Sequence, residues 1–389
     1  MKNLFLLAFL FITLPACSDE AHRPAASAPA RSASNNQAPA AAPPPASAAD
    51  RQAPEFPADA IWLGTDHPPT MASLKGKVVL VDFWEYTCIN CIRTFPHLKE
   101  WYARYHRYGL EIIGVQKGEF AFSSEPANIE RAYKRFMLPY PAIADIHDRI
   151  WDAYHNDTWP ASYLIDGEGR IRTKHEGEGN YGTFEREIQA MLKEIHPDAD
   201  FSAYAVAPDA PIFGPDCGTQ SEEVYVGAER GTQWGGEMAN REGFQPDRTV
   251  TYRPTERRVE RGIFVAGTWT NRADYLESAG NPAGDDAAYV GVTYHGRDVY
   301  SVLTRTPGGP VSLVITRDGH PVPPAQRGKD IAVDAAGRTY LTIDESRMYY
   351  AISREDDAVH ELRLEPIGPG VRICSFCFGN RCLENFDRL

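Results

Sequence analysis

Apolar runs long enough to cross a bilayer are missing from this chain of 389 residues, and so is any excess of positive charge. The uncharged run Leu4 to Leu14 is shorter than the roughly 20 residues that a membrane-spanning helix needs. Lys and Arg number 40 against 53 Asp and Glu, for a net charge of -13, and no basic cluster is dense enough to track phosphates. Nucleic acid is therefore not an expected partner. Ser18 to Pro54 contains no Phe, Trp or Tyr and is mostly Ala, Pro, Ser, Asn and Gln, so it cannot build a core. Helical periodicity is missing over long windows beyond about Tyr204. Cysteine is scarce, 7 in all, so the place of each carries information.

What is present points first to a compartment. Lys2 followed by Leu4 to Leu14 suits the apolar segment of an export signal. The run ends in Leu14-Pro15-Ala16-Cys17, which resembles the lipobox of bacterial lipoproteins and implies a leader over residues 1–17 and a lipid on Cys17. The plain alternative is cleavage near Ala16 with Cys17 left free, but a lone thiol on an exported tail is a liability. Asp19 stands one place beyond the position where an acid favours inner-membrane retention, so the choice of membrane stays open. Residues 18–54 read as a tether with an r.m.s. span of roughly 30 Å. With 43% hydrophobic and 11% aromatic residues, the remainder can bury two cores.

The segment Val78 to Pro96, VVLVDFWEYTCINCIRTFP, is the most informative part of the chain. An apolar strand with one acid inside it, Asp82, leads through Glu85-Tyr86-Thr87 to Cys88 and Cys91 at the start of a helix that Gly109 stops and Pro96 should kink. Unsatisfied N–H groups and the dipole at a helix start favour a thiolate at Cys88, and Cys91, one turn on, can close a disulfide with it. This pattern predicts thiol–disulfide exchange, with the Cys88–Cys91 pair serving in place of any bound cofactor and with no metal. Strands over Leu110–Val115, Pro141–Asp145, Ala161–Asp166 and Arg170–Glu176 alternate with helices over Pro126–Phe136, His147–Tyr154 and Thr183–Ile195. The order βαβαβ, then ββα, predicts an α/β domain over residues 55–199 with a mixed sheet flanked by helices.

Three distant pieces resemble the thioredoxin superfamily, and within it the TlpA-like thiol–disulfide oxidoreductases and the thioredoxin-like part of DipZ-type proteins. They are Trp84-Glu85-Tyr86-Thr87-Cys88-Ile89-Asn90-Cys91, Gly109 to Val115, and Trp159-Pro160-Ala161-Ser162-Tyr163-Leu164-Ile165-Asp166. Gln116-Lys117-Gly118-Glu119 departs from the His-Thr-Pro-Glu expected after the second piece, which puts substrate contacts at that loop in doubt. The resemblance implies that Cys88 attacks, that Cys91 resolves the mixed disulfide, and that Asp82 takes the proton of Cys91 through water, with Glu85 as a rival for that task. It also implies that Pro160 is a cis-proline facing the thiols, beside which the backbone of Trp159 pairs with an extended substrate. Simpler readings stand beside each role. The pair could be half of a zinc site completed by Cys374 and Cys377, Asp82 a salt-bridged structural acid, Trp159 core packing, and Pro160 a trans residue in an ordinary turn. Relatives of this type reduce exported proteins with electrons from a membrane thiol carrier of the CcdA or DsbD type, which implies disulfide-containing envelope proteins as substrates. The opposite direction, dithiol oxidation, is the alternative.

Residues 200–216 read as a connector, and 217–389 as an all-β sandwich. Nine short segments from Arg248–Arg253 to Val371–Phe378 are separated by Gly, Pro and Asp turns. Glu222 to Gly227 and Phe376-Cys377-Phe378-Gly379 resemble, more weakly, the jelly-roll-like C-terminal domain of some DipZ-type proteins. Trp234, Trp269, Tyr294 and Tyr300 could stack on sugar rings, although a sandwich needs core aromatics of its own. The domain is thus expected to dock a glycan or a protein, and a scaffolding lipoprotein in which it carries the main function is the competing class. Cys217, Cys374, Cys377 and Cys382 suggest two structural disulfides in an exported protein. Cys374 and Cys377, three apart on a strand, should point to opposite faces. The simpler pairing joins Cys217 to one of the last three and links the other two across Gly379-Asn380. A second redox pair that relays electrons to Cys88 and a metal site built from all four thiolates are the remaining readings of these cysteines.

Overall fold

The computed structural model describes residues 51–206, 208–280 and 288–383; the leader, Cys17 and residues 18–50 of the expected tether lie outside them. In chain order the first domain comprises β1 (Ile61–Leu63), β2 (Val78–Trp84), α1 (Ile89–Tyr105), β3 (Leu110–Gln116), α2 (Pro126–Arg135), β4 (Ala142–Ala144), α3 (Arg149–Tyr154), β5 (Ala161–Ile165), β6 (Ile171–Glu176) and α4 (Tyr181–Ile195). The sheet order is β1-β4-β3-β2-β5-β6. β2, β3 and β4 run parallel, while β1, β5 and β6 pair antiparallel with their neighbours, giving the mixed sheet of a thioredoxin fold.

Every residue of β2 is buried, because the sheet is covered on both faces. Alternation along the strand sends Val78, Leu80 and Trp84 into the core shared with α1, and Val79, Val81 and Phe83 into the core on the other face. Asp82 falls by the same period on the α1 side. α1 buries Ile92, Phe95, Leu98, Trp101 and Tyr105, and Pro96 lies within it without ending it. A 3-10 turn over His106–Tyr108 follows and stops at Gly109, whose φ of 93° suits a residue without a Cβ.

Two boundaries differ from the sequence reading. Arg51 to Pro54, assigned to the tether, joins the fold: the Ala53 N–H donates to the Gly169 carbonyl at 2.8 Å, and Ala53 is buried. The connector is not free chain either. Phe201 is buried edge-on against Tyr105 and Tyr108, with ring centres 5.5 and 5.1 Å away. Tyr204, edge-on to Tyr105, and Asp209, which accepts from the Thr183 N–H at 2.9 Å, hold the connector further, and Arg51 donates to the Ala153 carbonyl beside Ala53.

All nine expected segments of the second domain are strands, shifted by no more than a few residues at their ends. They form two largely antiparallel sheets that share the strand Gly262–Asn271. Its first half pairs with Tyr289–His295 and its second half with Thr249–Tyr252 and Leu276–Ser278. The change of sheet occurs at Gly267, where φ is +84° and a Cβ would lie 2.5 Å from that of Ala288. Residues of both sheets fill one core, including Ile263, Leu303, Ile315, Leu362 and Phe376. Of the four aromatics considered as sugar platforms, Trp269, Tyr294 and Tyr300 are buried, and Trp234 alone is 55% exposed. The strand Val224–Tyr225 and the helix Ala228–Gln233 escaped the sequence reading, being too short to show a period. The two domains make one compact unit. Among the described residues, no helix is long and apolar enough to cross a membrane.

The cysteine expectations require correction. Cys217 does pair within the C-terminal group, with Cys382, but Cys374 and Cys377 are free thiols. With Cys382 taken, no partner is left across the Gly379-Asn380 turn. Nor do Cys374 and Cys377 face opposite ways. Val302 pairs with Ser375 and Leu303 with Ile373, so Cys374 is the extra residue of a bulge. Both thiols consequently face the first domain, whose core includes them, while Ile373, Phe376 and Phe378 fill the sandwich core. Non-reducing peptide mapping should therefore recover Cys217 joined to Cys382, and Cys374 and Cys377 should be alkylated only after unfolding. Because the disulfide closes a sequence separation of 165 residues, Cys382→Ser should cost on the order of 3–5 kcal/mol in denaturant unfolding.

Candidate active site

β2 delivers the chain through Glu85-Tyr86-Thr87 to Cys88, which caps α1 in an extended conformation. Its Sγ accepts from the Cys91 N–H at 3.4 Å, one of the donors a helix start leaves unpaired. Cys88 is partly exposed and Cys91 is fully buried. Burial, and then the nearby Cys88 sulfur, push the Cys91 thiol well above its ordinary value, so it is held protonated. An outer sulfur open to substrate and an inner one kept as a thiol is the division of labour that sequential exchange needs.

The two carboxyls near this junction differ in their surroundings. Asp82 accepts from the Ser162 hydroxyl at 2.8 Å, while its Oδ2 has no protein partner among the described residues. Burial raises it to about 7 against that hydrogen bond. Glu85 accepts from the Thr87 N–H at 2.5 Å and from the Thr87 hydroxyl, and burial together with Glu119 raises it to about 8. Asp82 is among the charges that act on Cys91; the Glu85 carboxyl is not, and its own neighbours are Glu119, Thr87 and Ser123. Among the described residues neither acid is ion-paired, so the reading of Asp82 as a salt-bridged residue does not fit.

The Trp159-Pro160 bond is cis and leads into β5, beside β2. Trp159 packs on Trp151 at 4.6 Å between ring centres, and Lys117 Nζ lies 5.1 Å from the Trp159 ring centre. Trp159 and Cys88 line one cavity of about 260 Å³. Its opposite wall comes from the second domain, through Gln220, Ser221, Glu223, Tyr225, Trp234, Cys377 and Phe378. The sequence reading missed this wall. Glu222 to Gly227 stood out only as a family pattern, and nothing in its spacing says that it faces Cys88.

The loop that departs from the family pattern anchors that wall. Glu119 accepts from the Tyr225 hydroxyl at 2.6 Å and from Arg230 at 3.0 Å, and its carbonyl also accepts from Arg230. Burial raises its carboxyl, and the Arg230 charge opposes that rise. The Cys377 thiol donates to Glu223 at 3.1 Å. Burial and Glu119 lift Glu223 to about 7, and burial keeps the thiols of Cys374 and Cys377 protonated. Among the described residues these thiols do not gather with Cys88 and Cys91 into a ligand set. The one His-and-carboxylate group within ligand range, Glu355, Asp356 and His360, is engaged by Arg317, whose Nε lies 2.7 Å from Glu355.

Comparison with known proteins agrees with this geometry. Residues 49–174 match the AhpC/TSA family, and residues 221–379 match the family described as a thioredoxin-like C-terminal domain. The protein DipZ of Mycobacterium bovis is 34% identical over 271 residues, covering 69% of this chain and 37% of that protein. The chain thus spans little more than a third of the DipZ proteins it matches. The thiol–disulfide oxidoreductase ResA of Geobacillus kaustophilus is 30% identical over 125 residues, 32% of this chain and 69% of the relative. Among solved structures, a putative thiol:disulfide interchange protein DsbE from Chlorobium tepidum superposes with a TM-score of 0.33 at 23% identity, over 37% of this chain and 96% of that one. With the paired thiols at the head of α1 and these relatives on both sides of it, the chain belongs to the thioredoxin-like thiol–disulfide oxidoreductases.

Proposed function

We propose that this protein reduces disulfides of envelope proteins while held at a bacterial membrane by a lipid on Cys17. The export run and Leu14-Pro15-Ala16-Cys17 support the location. The reductive direction and a membrane thiol carrier of the CcdA or DsbD type as electron donor are what the family resemblance implies. The observation that carries the chemistry is the contrast between Cys88, open to a cavity, and Cys91, buried behind it beside Asp82.

In this mechanism the Cys88 thiolate attacks one sulfur of the substrate disulfide, and the other sulfur leaves as a thiolate. Cys91 then passes its proton to Asp82 and attacks Cys88 Sγ, which releases the second substrate thiol and closes Cys88–Cys91. Two electrons leave the pair, the carrier restores them, and no further cofactor takes part. Asp82 fits the acceptor role better than Glu85, because Asp82 acts on Cys91 whereas the Glu85 carboxyl faces Glu119. The family resemblance implies that the backbone of Trp159, which lines the cavity with Cys88, pairs with an extended substrate.

Cys88→Ser should abolish reduction of insulin disulfides, and Cys91→Ser should accumulate mixed disulfides on Cys88, both read on non-reducing gels; retained turnover in both variants would sink the proposal. Because Asp82 must be ionised to accept the proton and is raised to about 7, resolution should quicken from pH 6 to pH 8 in stopped-flow measurements. Asp82→Asn should flatten that profile and slow resolution at pH 8 on the order of 10²-fold, while Glu85→Gln keeps the profile. The sign for stability is opposite. Between the ordinary 3.8 and about 7 the folded state holds a proton that the unfolded chain has lost, so stability falls as pH rises through that window. Asp82→Asn should therefore raise the melting temperature at pH 8 by about 2–4 °C, and by less at pH 4.

A further inference from the structure

The cavity at Cys88 does not end at the second domain. Gln220 and Ser221 line it and also line a second cavity of about 450 Å³, formed entirely by the sandwich. The segment between the two is held in place from below: the Ser221 N–H donates to the His295 carbonyl at 2.8 Å, and the His295 N–H donates to the Ser221 hydroxyl at 2.9 Å. Gln220 is thereby fixed at the junction.

The second cavity has an unusual polar lining. Gln220 Oε1, Thr293 Oγ1 and His295 Nδ1 are buried atoms without a protein hydrogen-bond partner among the described residues, and all three residues line it. A buried acceptor or hydroxyl left unpaired costs free energy, so three in one cavity mark a place where a ligand's polar groups belong. Both arginines of the lining are paired, and Glu260 stands exposed at the rim. Arg261 pairs with Glu222 at 2.6 Å, and Arg258 pairs with Glu361 at 2.7 Å. Between these polar groups stand Val259 and Val359, the latter 60% exposed. Away from the exposed Glu260, the lining sets hydrogen-bonding atoms among aliphatic groups, which suits an extended peptide: backbone amides for the polar atoms, apolar side chains for the valines.

We infer that the two cavities form one substrate channel, in which the polypeptide flank of the reacting cysteine runs from Cys88 over Gln220 and Ser221 and is gripped by Thr293, His295 and Val359. This inference rests on the reductase reading and adds the substrate class: disulfides presented on extended chain with apolar side chains. Because the two cavities share Gln220 and Ser221, a chain that carries the reacting sulfur can extend from one to the other, which a polypeptide substrate does and a free sugar does not. The sandwich is then the specificity element of the enzyme.

The test uses the full chain and pairs of disulfide-bonded peptides identical around the cysteines, one of each pair extended by four uncharged residues on its N-terminal or its C-terminal side. The wild type should show a higher kcat/KM for one of the extended peptides, through a lower KM. Thr293→Val, which removes one buried hydroxyl, should lower the ratio of kcat/KM for extended over unextended peptide about three- to tenfold. Val359→Asp, a change at an exposed position that the fold tolerates, should lower it as well. No preference for either extension in the wild type, or an unchanged ratio in both variants, overturns the channel. An uncharged oligosaccharide that competes with the extended peptide in the wild type and not in Thr293→Val overturns it in favour of a glycan site. Loss of the reductase reading itself is separately visible as turnover surviving Cys88→Ser.

Discussion

The arrangement of this molecule depends on one packing contact, the outer face of the strands Asp298–Arg305 and Val371–Gly379 lying against the side of the first domain that carries α1. Tyr300, Val302, Cys374 and Cys377 belong to the same core as Ile89, Ile92 and Phe95. Removing that face from water offsets the cost of fixing two domains in one orientation, at roughly 25 cal/mol per Å² of apolar surface. Arg93 adds a polar pin. It is buried, pairs with Glu178 at 3.2 Å and lies 5.8 Å from the ring centre of Tyr300. A thioredoxin site is ordinarily open on the side of its thiols; here the contact gives it a second wall.

That wall changes the electrostatics of the site. Asp82, Glu85, Glu119 and Glu223 are carboxyls withdrawn from water, and burial is the largest influence on each. Among the described residues only Glu119 of the four has a cationic partner, Arg230 of the second domain. Four acids whose ionisation burial opposes keep the surroundings of the thiols less negative than their number suggests, and Asp82, Glu85 and Glu223, raised to about 7, 8 and 7, do so near neutral pH, where a proton can be taken or returned at small cost.

How much of this was legible in the sequence follows from the range of the forces involved. The strand–CxxC–helix junction was, because β2 and α1 are specified by local period, by Gly109 and by the place of Cys88 before the first turn. The nine strands of the sandwich were, because turn residues punctuate them. The wall facing Cys88 was not: Glu223, Tyr225 and Cys377 acquire their role from a contact between residues more than 100 positions away in sequence from those they meet, as with Tyr225 and Glu119. The bulge at Cys374 was equally hidden, since a strand's period of two assumes a continuous ladder and a single inserted residue reverses every assignment on one side of it. Phe201 and Ala53 show the opposite failure, where a polar composition concealed one anchoring apolar side chain.

The Cys217–Cys382 bond takes on a further meaning in a protein that attacks disulfides. Every molecule of this oxidoreductase carries a disulfide of its own outside the Cys88–Cys91 pair. Thiol–disulfide exchange needs an in-line approach to a sulfur, and Cys217 is 1% exposed, with its chain folded into the base of the sandwich. Burial of Cys217 leaves the half-buried Cys382 as the more open sulfur of this bond, so that a bond which stabilises the fold is shielded on one side from a pair of thiols built to exchange such bonds.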